Sequence, residues 1–286
     1  MSRRRLSPHL AALGLLLTTL SSGEALADAS DRDVPRQVRF GGACEKCDLS
    51  GRKLIGCAFT ATNFSRASFA GADLRGAEAK AANFTGADFS RADLRGAELT
   101  AANFTDTRLG EAQLEGVEAK AVNFSGAHLA RASLRSAEIA FSDFRGADLQ
   151  GADFSNATLT TVDFRGVDAR GANFYGADFR AVSLRGGRFE RASFKEADLS
   201  HESLVGANLA GADLTGADLN QADLHGADLS LVRGLTQDQL DDACADAGTR
   251  LPSGLRGRDC HRAFGWRHER APPAPPAPPV PPAPPH

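Results

Sequence analysis

The chain has 286 residues, and its 33 basic and 36 acidic side chains nearly cancel to a formal net charge of −3. This balance excludes a polybasic nucleic-acid binder and an acidic tail protein, and a hydrophobic content of 42% excludes general disorder. No apolar run reaches the ~18 residues that a membrane span needs, so no transmembrane segment is predicted.

The first 27 residues have the three regions of a secretory signal peptide in the right order. Arginines occupy positions 3–5, an apolar stretch runs over 10–20, and the small-residue cleavage site is Ala-Leu-Ala at 25–27. A buried N-terminal helix is the alternative interpretation. We therefore predict export to the periplasm or the cell exterior, with residues 28–43 as a linker and N-terminal cap that runs on to Asp48.

A five-residue repeat fills the middle of the chain. Of the 37 positions taken every fifth residue from Leu49 to Leu229, 34 are Leu, Ile or Phe. Two residues before each large residue lies a small one, usually Ala, with a polar residue between them, as in Ala72-Asp73-Leu74. A period of five fits neither a helix nor a flat strand, so it indicates stacked coils with corners. Glycine is frequent two places after the large residue, where it eases the corner.

This A-[DN]-L-x-x pattern resembles the pentapeptide-repeat family over about 185 residues. The resemblance implies an all-β solenoid, namely a right-handed quadrilateral β-helix with four five-residue units in each coil. Residues 44–231 then form about nine coils, and at ~4.8 Å between stacked strands the rod is roughly 43 Å long.

Phenylalanines recur at 20-residue intervals and independently favour a coil of four units. Asn-Phe pairs begin at positions 63, 83, 103 and 123, and Phe144 and Phe164 continue the series. We predict that these six rings stack inside one face, with the four Asn in a ladder outside. A second stack is predicted for Phe154, Phe174 and Phe194. Glu202 occupies a small inward position, so we predict a bulge or outward flip over 200–204.

The repeat ends after Leu229, and residues 232–270 are predicted to cap the open end. Thr236 is a good N-cap, Gln239 completes a capping box, and an amphipathic helix is expected over 236–246. The segment also resembles the C-terminal cap of many pentapeptide-repeat proteins. Residues 271–286 are Ala-Pro-Pro units and predict a disordered, extended polyproline II tail. That tail serves as a spacer, as a ligand for an aromatic groove, or as a solvated end without a partner.

Five cysteines lie beyond the signal peptide, and an oxidising compartment favours their pairing. We predict a disulfide between Cys244 and Cys260 and a buried, unpaired Cys57. The CxxC pair Cys44 and Cys47 is interpreted as structural or disulfide-bonded, with half a metal site and a redox pair as alternatives. The odd number leaves at least one thiol free or paired between molecules.

No catalytic motif is present, so the chain is predicted to be no enzyme and to need no metal or cofactor. Arginines nevertheless cluster on the rod, and we identify a candidate docking strip for anions or a partner. Its members are Arg145, Arg165, Arg170, Arg180 and Arg185. The alternative interpretation of the same residues is an exposed lattice of charges that contributes little to stability.

Two functions are compatible with such a rod. The first is a non-enzymatic, exported scaffold that binds a protein or another macromolecule through its β-helix surface. The second follows from the resemblance, because some family members mimic duplex DNA and bind or protect DNA gyrase. The predicted partner is a protein of unknown identity, with no nucleic acid, and a homodimer is a further candidate.

Overall fold

The computed structural model describes residues 39–260, so the predicted signal peptide and the proline-rich tail lie outside the described residues. Eight short strands form one parallel sheet in chain order. They are β1 (Arg39–Phe40), β2 (Ala58–Thr60), β3 (Glu78–Lys80), β4 (Glu98–Thr100), β5 (Glu118–Lys120), β6 (Glu138–Ala140), β7 (Thr158–Thr160) and β8 (Asp178–Arg180). The single helix of the described residues is α1 (Gln237–Asp242).

Each complete coil contains 20 residues and four faces. From β2 onward every strand pairs with the next at an offset of 20, and single bridges at the same offset stack the other faces, as in Asn63↔Asn83, Ser68↔Asp88 and Asp73↔Asp93. We name the faces after a large inward residue: the strand face contains β1–β8, and the Phe64, Phe69 and Leu74 faces follow. The quadrilateral β-helix is confirmed, although the continuous sheet has eight strands and the stack continues beyond Arg180 through single bridges.

The corners lie two residues after each large inward residue, and their backbone is left-handed. Gly76 has a φ of 61°, and the equivalent Ala81 and Arg91 adopt φ values of 52° and 57°. Glycine adopts this region without steric cost, whereas other residues are strained there. The predicted corner position of glycine is therefore confirmed, and the many Ala and Arg corners are held in place by the coils above and below.

The core is a column of large side chains along the axis, enclosed by the small ones. The rings of Phe84, Phe104 and Phe124 stack with centroid separations of 4.9 and 5.2 Å, and those of Phe144 and Phe164 continue the column at 4.7 and 5.0 Å. The second predicted stack, Phe154, Phe174 and Phe194, has separations of 5.2 and 5.0 Å. Both stacking predictions are confirmed.

One glycine is required by packing rather than by backbone geometry. Gly187 has no positive φ, but a Cβ there would lie 2.5 Å from the Phe189 ring and 3.2 Å from the Leu184 carbonyl oxygen. The Phe189 ring thus fills the place that Ala occupies in most other units. One coil below, the large residue is replaced by Ala169, so volume is exchanged between neighbouring units of a close-packed core.

The C-terminal cap combines a shorter helix than predicted with an extended segment. Thr236 is the N-cap and Gln239 completes the capping box, as predicted. The helix ends at Asp242 rather than at residue 246, because Cys244 pairs with the last coil through a bridge to Asp223. The Gln239 side chain also donates to the carbonyls of Leu214 and Ala217, at 3.0 and 2.7 Å, and so satisfies acceptors of the exposed coil end.

At the opposite end, the segment expected as an N-terminal cap already belongs to the coil. Ala43 and Asp48 form bridges with Asn63 and Ser68 at the regular offset, and β1 pairs with β2 in the strand face.

The bulge predicted over 200–204 is wrong. Ser203 keeps the regular bridges to Ser183 and Asp223, and Glu202 is buried with 2% of its surface exposed. Its carboxylate accepts hydrogen bonds from the backbone N–H groups of Val182, at 2.6 Å, and Ala181. Burial nevertheless raises the pKa of Glu202 to about 7, because two amide donors only partly replace water.

Glu202 lies where the corner that enters the Phe64 face changes type. In the coil before, the Thr161 N–H donates to the Arg180 carbonyl of the next coil, whereas the Ala181 N–H uses the Glu202 carboxylate. The Glu202 N–H donates to the carbonyl of Leu199, three residues earlier. The same three-residue turn bond is found at the other corners, as between Ala72 and Phe69. The Glu202 carboxylate therefore replaces the backbone carbonyl that the Ala181 N–H loses where the corner changes type.

Candidate docking surface

The cysteines form two disulfides and leave one thiol in the core. Cys44 is bonded to Cys47, and Cys244 to Cys260, the second holding the segment after α1 against the cap. Cys57 is free and buried, and burial raises the pKa of its thiol to about 11, far from the value of a reactive cysteine. Within residues 39–260, no group of three or more His, Cys, Asp or Glu side chains could hold a metal ion.

The five arginines of the candidate strip do not share one face. Arg145, Arg165 and Arg185 follow the large residues of the Phe64 face and align at 20-residue intervals, as predicted. Arg170 follows Ala169 on the Phe69 face, and Arg180 ends β8 on the strand face. The cluster therefore covers three sides of the rod, and only three of its members form a vertical strip.

Most arginines of the strip are neutralised by an Asp two residues earlier. The Arg145 guanidinium lies 2.6 Å from the Asp143 carboxylate, and Arg165 lies 2.5 Å from Asp163. The hydrogen bond that the Arg145 guanidinium donates to Asp143 is the largest cause of its raised pKa. Alternation explains this geometry, because residues two apart in extended backbone point to the same side of the wall.

The same Asp-x-Arg arrangement recurs elsewhere on the rod. Its further members are Asp73 with Arg75, Asp93 with Arg95, Asp168 with Arg170, and Asp178 with Arg180. The hydrogen bond from the arginine is the largest effect lowering the pKa of Asp73, Asp93 and Asp168. These carboxylates stay ionised at neutral pH, so each pair presents no net charge to a partner.

Arg185 differs from the other members of the strip. Ser183, rather than Asp, precedes it by two residues, and among residues 39–260 no carboxylate pairs with its guanidinium. The hydroxyl oxygens of Ser183 and of Ser203, one coil above, are buried and have no hydrogen-bond partner in this part of the chain. No role is predicted for these serines from the sequence, although the contrast between Ser-x-Arg and Asp-x-Arg is visible there.

The N-terminal half of the Phe64 face has amide rather than charged chemistry. The Asn83 side chain donates to the Asn63 carbonyl oxygen at 3.0 Å, while Asn103 donates instead to the Thr85 hydroxyl, also at 3.0 Å. The four Asn occupy one column, as predicted, but the direct amide ladder joins only the first two. Each Asn oxygen also accepts the N–H of the residue two places later, which keeps this half internally satisfied.

An acidic column runs along the strand face. Its members are Glu78, Glu98, Glu118, Glu138, Asp178, Asp198 and Asp218, interrupted by Thr158. Lys80 pairs with Glu78 at 3.0 Å, and Arg180 pairs with Asp178. Stacked like charges repel at strand spacing, so this column reduces stability without improving the core.

No helix in the described part of the chain combines the length and the apolar character needed to span a bilayer.

A sequence profile for pentapeptide repeats, present in eight copies, matches residues 44–78, 82–118, 112–151, 147–186, 172–204 and 192–230. Among proteins with curated descriptions, none matches this sequence.

Several solved structures are similar to the chain. One is HetL, a pentapeptide repeat protein involved in heterocyst differentiation regulation from the cyanobacterium Nostoc sp. strain PCC 7120, with 27% identity over 77% of this chain and 91% of that one, at a TM-score of 0.44. Another is full-length QnrB1, a plasmid-mediated fluoroquinolone resistance protein, with 21% identity over 74% and 94% of the two chains, at 0.30. A third, a pentapeptide repeat protein from Nostoc PCC 7120, is 30% identical over 38% and 84%, at 0.31.

Proposed function

Because the chain belongs to the pentapeptide-repeat family, we propose that it is an exported, non-enzymatic scaffold whose β-helix surface binds a partner protein. The family profile is described by its repeats and not by a catalytic activity. A rigid rod with a closed core offers a long surface on which side chains are placed at fixed intervals, and repeat proteins commonly use such surfaces for binding.

Export is supported by two separate features. The first 27 residues have the three regions of a signal peptide. The structure contains the disulfides Cys44–Cys47 and Cys244–Cys260, and such bonds persist in oxidising compartments rather than in the cytosol.

The observation that carries the binding proposal is a change of surface chemistry at a point where the phenylalanine core beneath continues. Along the Phe64 face the outward column turns from Asn, at 63–123, to Asp and Ser, at 143–203, while the phenylalanine stack beneath runs through the junction as far as Phe164, above which Leu184 and Leu204 fill the same inward position. Since packing does not require this change, we assign it to recognition. The docking surface is the half of the Phe64 face that begins at Asp143.

The test is photo-crosslinking in the exporting cell. A photoreactive phenylalanine analogue at Thr161, at the corner beside Arg165, should give a crosslinked protein adduct in the exported fraction. The same analogue at Ser90, on the Phe69 face, is the matched control and should give none. Equal crosslinking at both positions, or no adduct at either, would contradict binding through this half of the face. The mass of the exported chain should correspond to cleavage after Ala27, and removal of residues 271–286 should leave the adduct unchanged.

The acidic column of the strand face favours a second candidate function, a DNA mimic that binds or protects DNA gyrase. Seven carboxylates at 20-residue intervals give one side of the rod a line of negative charge at the cost of mutual repulsion. This function requires a cytoplasmic chain. A gyrase supercoiling assay with the purified mature protein separates the candidates: dose-dependent protection or inhibition supports the mimic, and unchanged supercoiling excludes it.

A further inference from the structure

Eight arginines directly follow a large inward position or its Ala substitute, and within residues 39–260 seven of them form an ion pair with a carboxylate. Six pair with an Asp two residues earlier: Arg75, Arg95, Arg145, Arg165, Arg170 and Arg180. Arg135 follows Ser133 instead and reaches Asp153 of the next coil at 3.8 Å. The lattice thus offers an arginine two carboxylate positions, one in its own coil and one in the coil above.

Arg185 has a serine at both of these positions. Ser183 precedes it by two residues, and Ser203 is bridged to Ser183 from the next coil. Ser183 is only 1% exposed, and both hydroxyl oxygens are buried without a hydrogen-bond partner among the described residues. A buried hydroxyl without a partner is costly, so the hydrogen-bonding capacity left here is the feature that requires an explanation.

We propose that Arg185, Ser183 and Ser203 form a binding site for a carboxylate from an acidic segment of a partner protein. The incoming Asp or Glu side chain occupies the lattice position that Asp163 fills one coil below and Asp143 fills two coils below. There it accepts hydrogen bonds from the guanidinium of Arg185 and from the serine hydroxyls. This inference rests on the proposed scaffold function and names the chemistry of its docking surface.

The local charge favours a monovalent ligand. Arg145 and Arg165 are each paired with an Asp of their own, so the one uncompensated charge of these three aligned arginines is the cation at Arg185. The carboxyl of Glu202, on the coil above, is buried and bonded to backbone amides. A single arginine with two hydroxyls matches the charge and size of one carboxylate, whereas phosphate sites usually gather several cationic groups.

The six Asp-x-Arg pairs show that the wall positions a carboxylate and a guanidinium correctly. In Asp163, one carboxylate oxygen accepts the Arg165 backbone N–H at 3.0 Å, and both oxygens contact the guanidinium. The backbone beside Arg185 keeps the same regular offset, so a ligand carboxylate can take the equivalent position once side chains at the wall turn aside to uncover the two buried hydroxyls.

The experiment is a titration of the mature disulfide-bonded protein with a peptide of six glutamates at low salt, followed by the arginine Nε–H resonances in NMR. The peptide should shift the resonance that disappears in Arg185→Gln. Arg185→Gln, and separately Ser183→Asp, which supplies an internal carboxylate, should each weaken peptide binding by about ten-fold or more. Arg95→Gln is the matched control, because it removes the same charge from a paired arginine on another face. It should change affinity by less than about two-fold, since Arg95 is already paired.

Three results would overturn the proposal: an unmoved Arg185 resonance, wild-type affinity in Arg185→Gln, or binding of inorganic phosphate in preference to the peptide. The scaffold function is tested separately. A partner that still crosslinks at Thr161 in the Arg185→Gln variant would remove the carboxylate site and leave the scaffold intact. A shifted Arg185 resonance without any crosslinked partner would support the carboxylate site and contradict the scaffold function.

Discussion

The two halves of the Phe64 face meet over a continuous phenylalanine stack but present two different surfaces. In the N-terminal half, the outward Asn column satisfies itself through side-chain and backbone hydrogen bonds. In the C-terminal half, Asp–Arg pairs cancel one another until Arg185, where two serines leave the guanidinium and two hydroxyls unsatisfied among the described residues. Beneath both halves the phenylalanine rings stack at similar separations.

This comparison separates the inward side chains, which build the coil, from the outward side chains, which a partner can contact. The inward columns determine the fold, because every unit must fill the same volume at the axis. The outward columns are free to differ between coils, because a wall side chain contacts other wall side chains rather than the axis. We therefore expect a partner to bind where outward side chains lack a hydrogen-bond or ion-pair partner, rather than where the density of charge is highest.

The largest expected effect is a loss of stability that should be the same in both halves. Phe104→Ala and Phe164→Ala remove fully buried rings from the same stack, one in each half, and each should lower the free energy of unfolding by about 3–5 kcal/mol. Urea denaturation followed by circular dichroism measures both losses. A loss confined to one half would mean that the two halves do not share an equivalent core.

The next effect concerns Glu202, whose folded pKa of about 7 lies above its ordinary value of 4.5. Between these two pH values the folded state binds the proton that the unfolded state has released, so stability should fall as pH rises from 4.5 through 7 and then level off. The full change is on the order of 3 kcal/mol, at 1.36 kcal/mol per pKa unit.

Glu202→Gln tests that slope, because it keeps an acceptor for a backbone N–H and cannot ionise. The difference in unfolding free energy between wild type and variant should change with pH across this window and remain constant above it. A difference independent of pH would show that Glu202 has an ordinary pKa.

Gly187→Ala and Gly110→Ala compare two glycines outside the left-handed region, one in each half of the rod. A methyl group at Gly187 would meet the Phe189 ring at 2.5 Å, and overpacking of this kind typically costs about 1–3 kcal/mol. At Gly110 the nearest atom is 3.8 Å away, so Ala should be neutral or stabilising by up to about 1 kcal/mol. Chemical denaturation of the two variants gives the comparison directly, and equal midpoints would contradict the packing assigned to Phe189.

The smallest effects are expected on the surface. Asn103→Ala in the amide half and Arg165→Gln in the charged half should each change stability by about 1 kcal/mol or less, because both groups are partly solvated. Added salt should reduce the effect of Arg165→Gln and leave that of Asn103→Ala unchanged. Thermal melts at low and high salt measure both, and a salt-independent loss at Arg165 would mean that its pairing with Asp163 is not electrostatic.

The sequence predicted the inward architecture well, because the five-residue period fixes which side chains face the axis and the 20-residue recurrence of Phe fixes how they stack. The predictions from sequence were wrong at two places where hydrogen bonds determine the local backbone. The predicted bulge at Glu202 overlooked that the backbone amides of Ala181 and Val182 can satisfy a buried carboxylate. The predicted helix was too long because Cys244 is needed as an extended partner for the last coil.

The docking strip was only partly visible in the sequence. Spacing places Arg145, Arg165 and Arg185 in one column, but spacing alone does not show that Asp143 and Asp163 neutralise the first two. The free guanidinium of the third emerges only when the partners of all the equivalent arginines are compared.

The most direct test replaces the outward surface of one half by that of the other. A variant with Asp143→Asn, Arg145→Ser, Asp163→Asn, Arg165→Thr and Arg185→Thr keeps every inward residue and copies the amide half onto the charged half. We expect wild-type circular dichroism and cooperative unfolding, together with loss of the partner that crosslinks at Thr161. A folded variant that still captured this partner would contradict the assignment of recognition to the outward column.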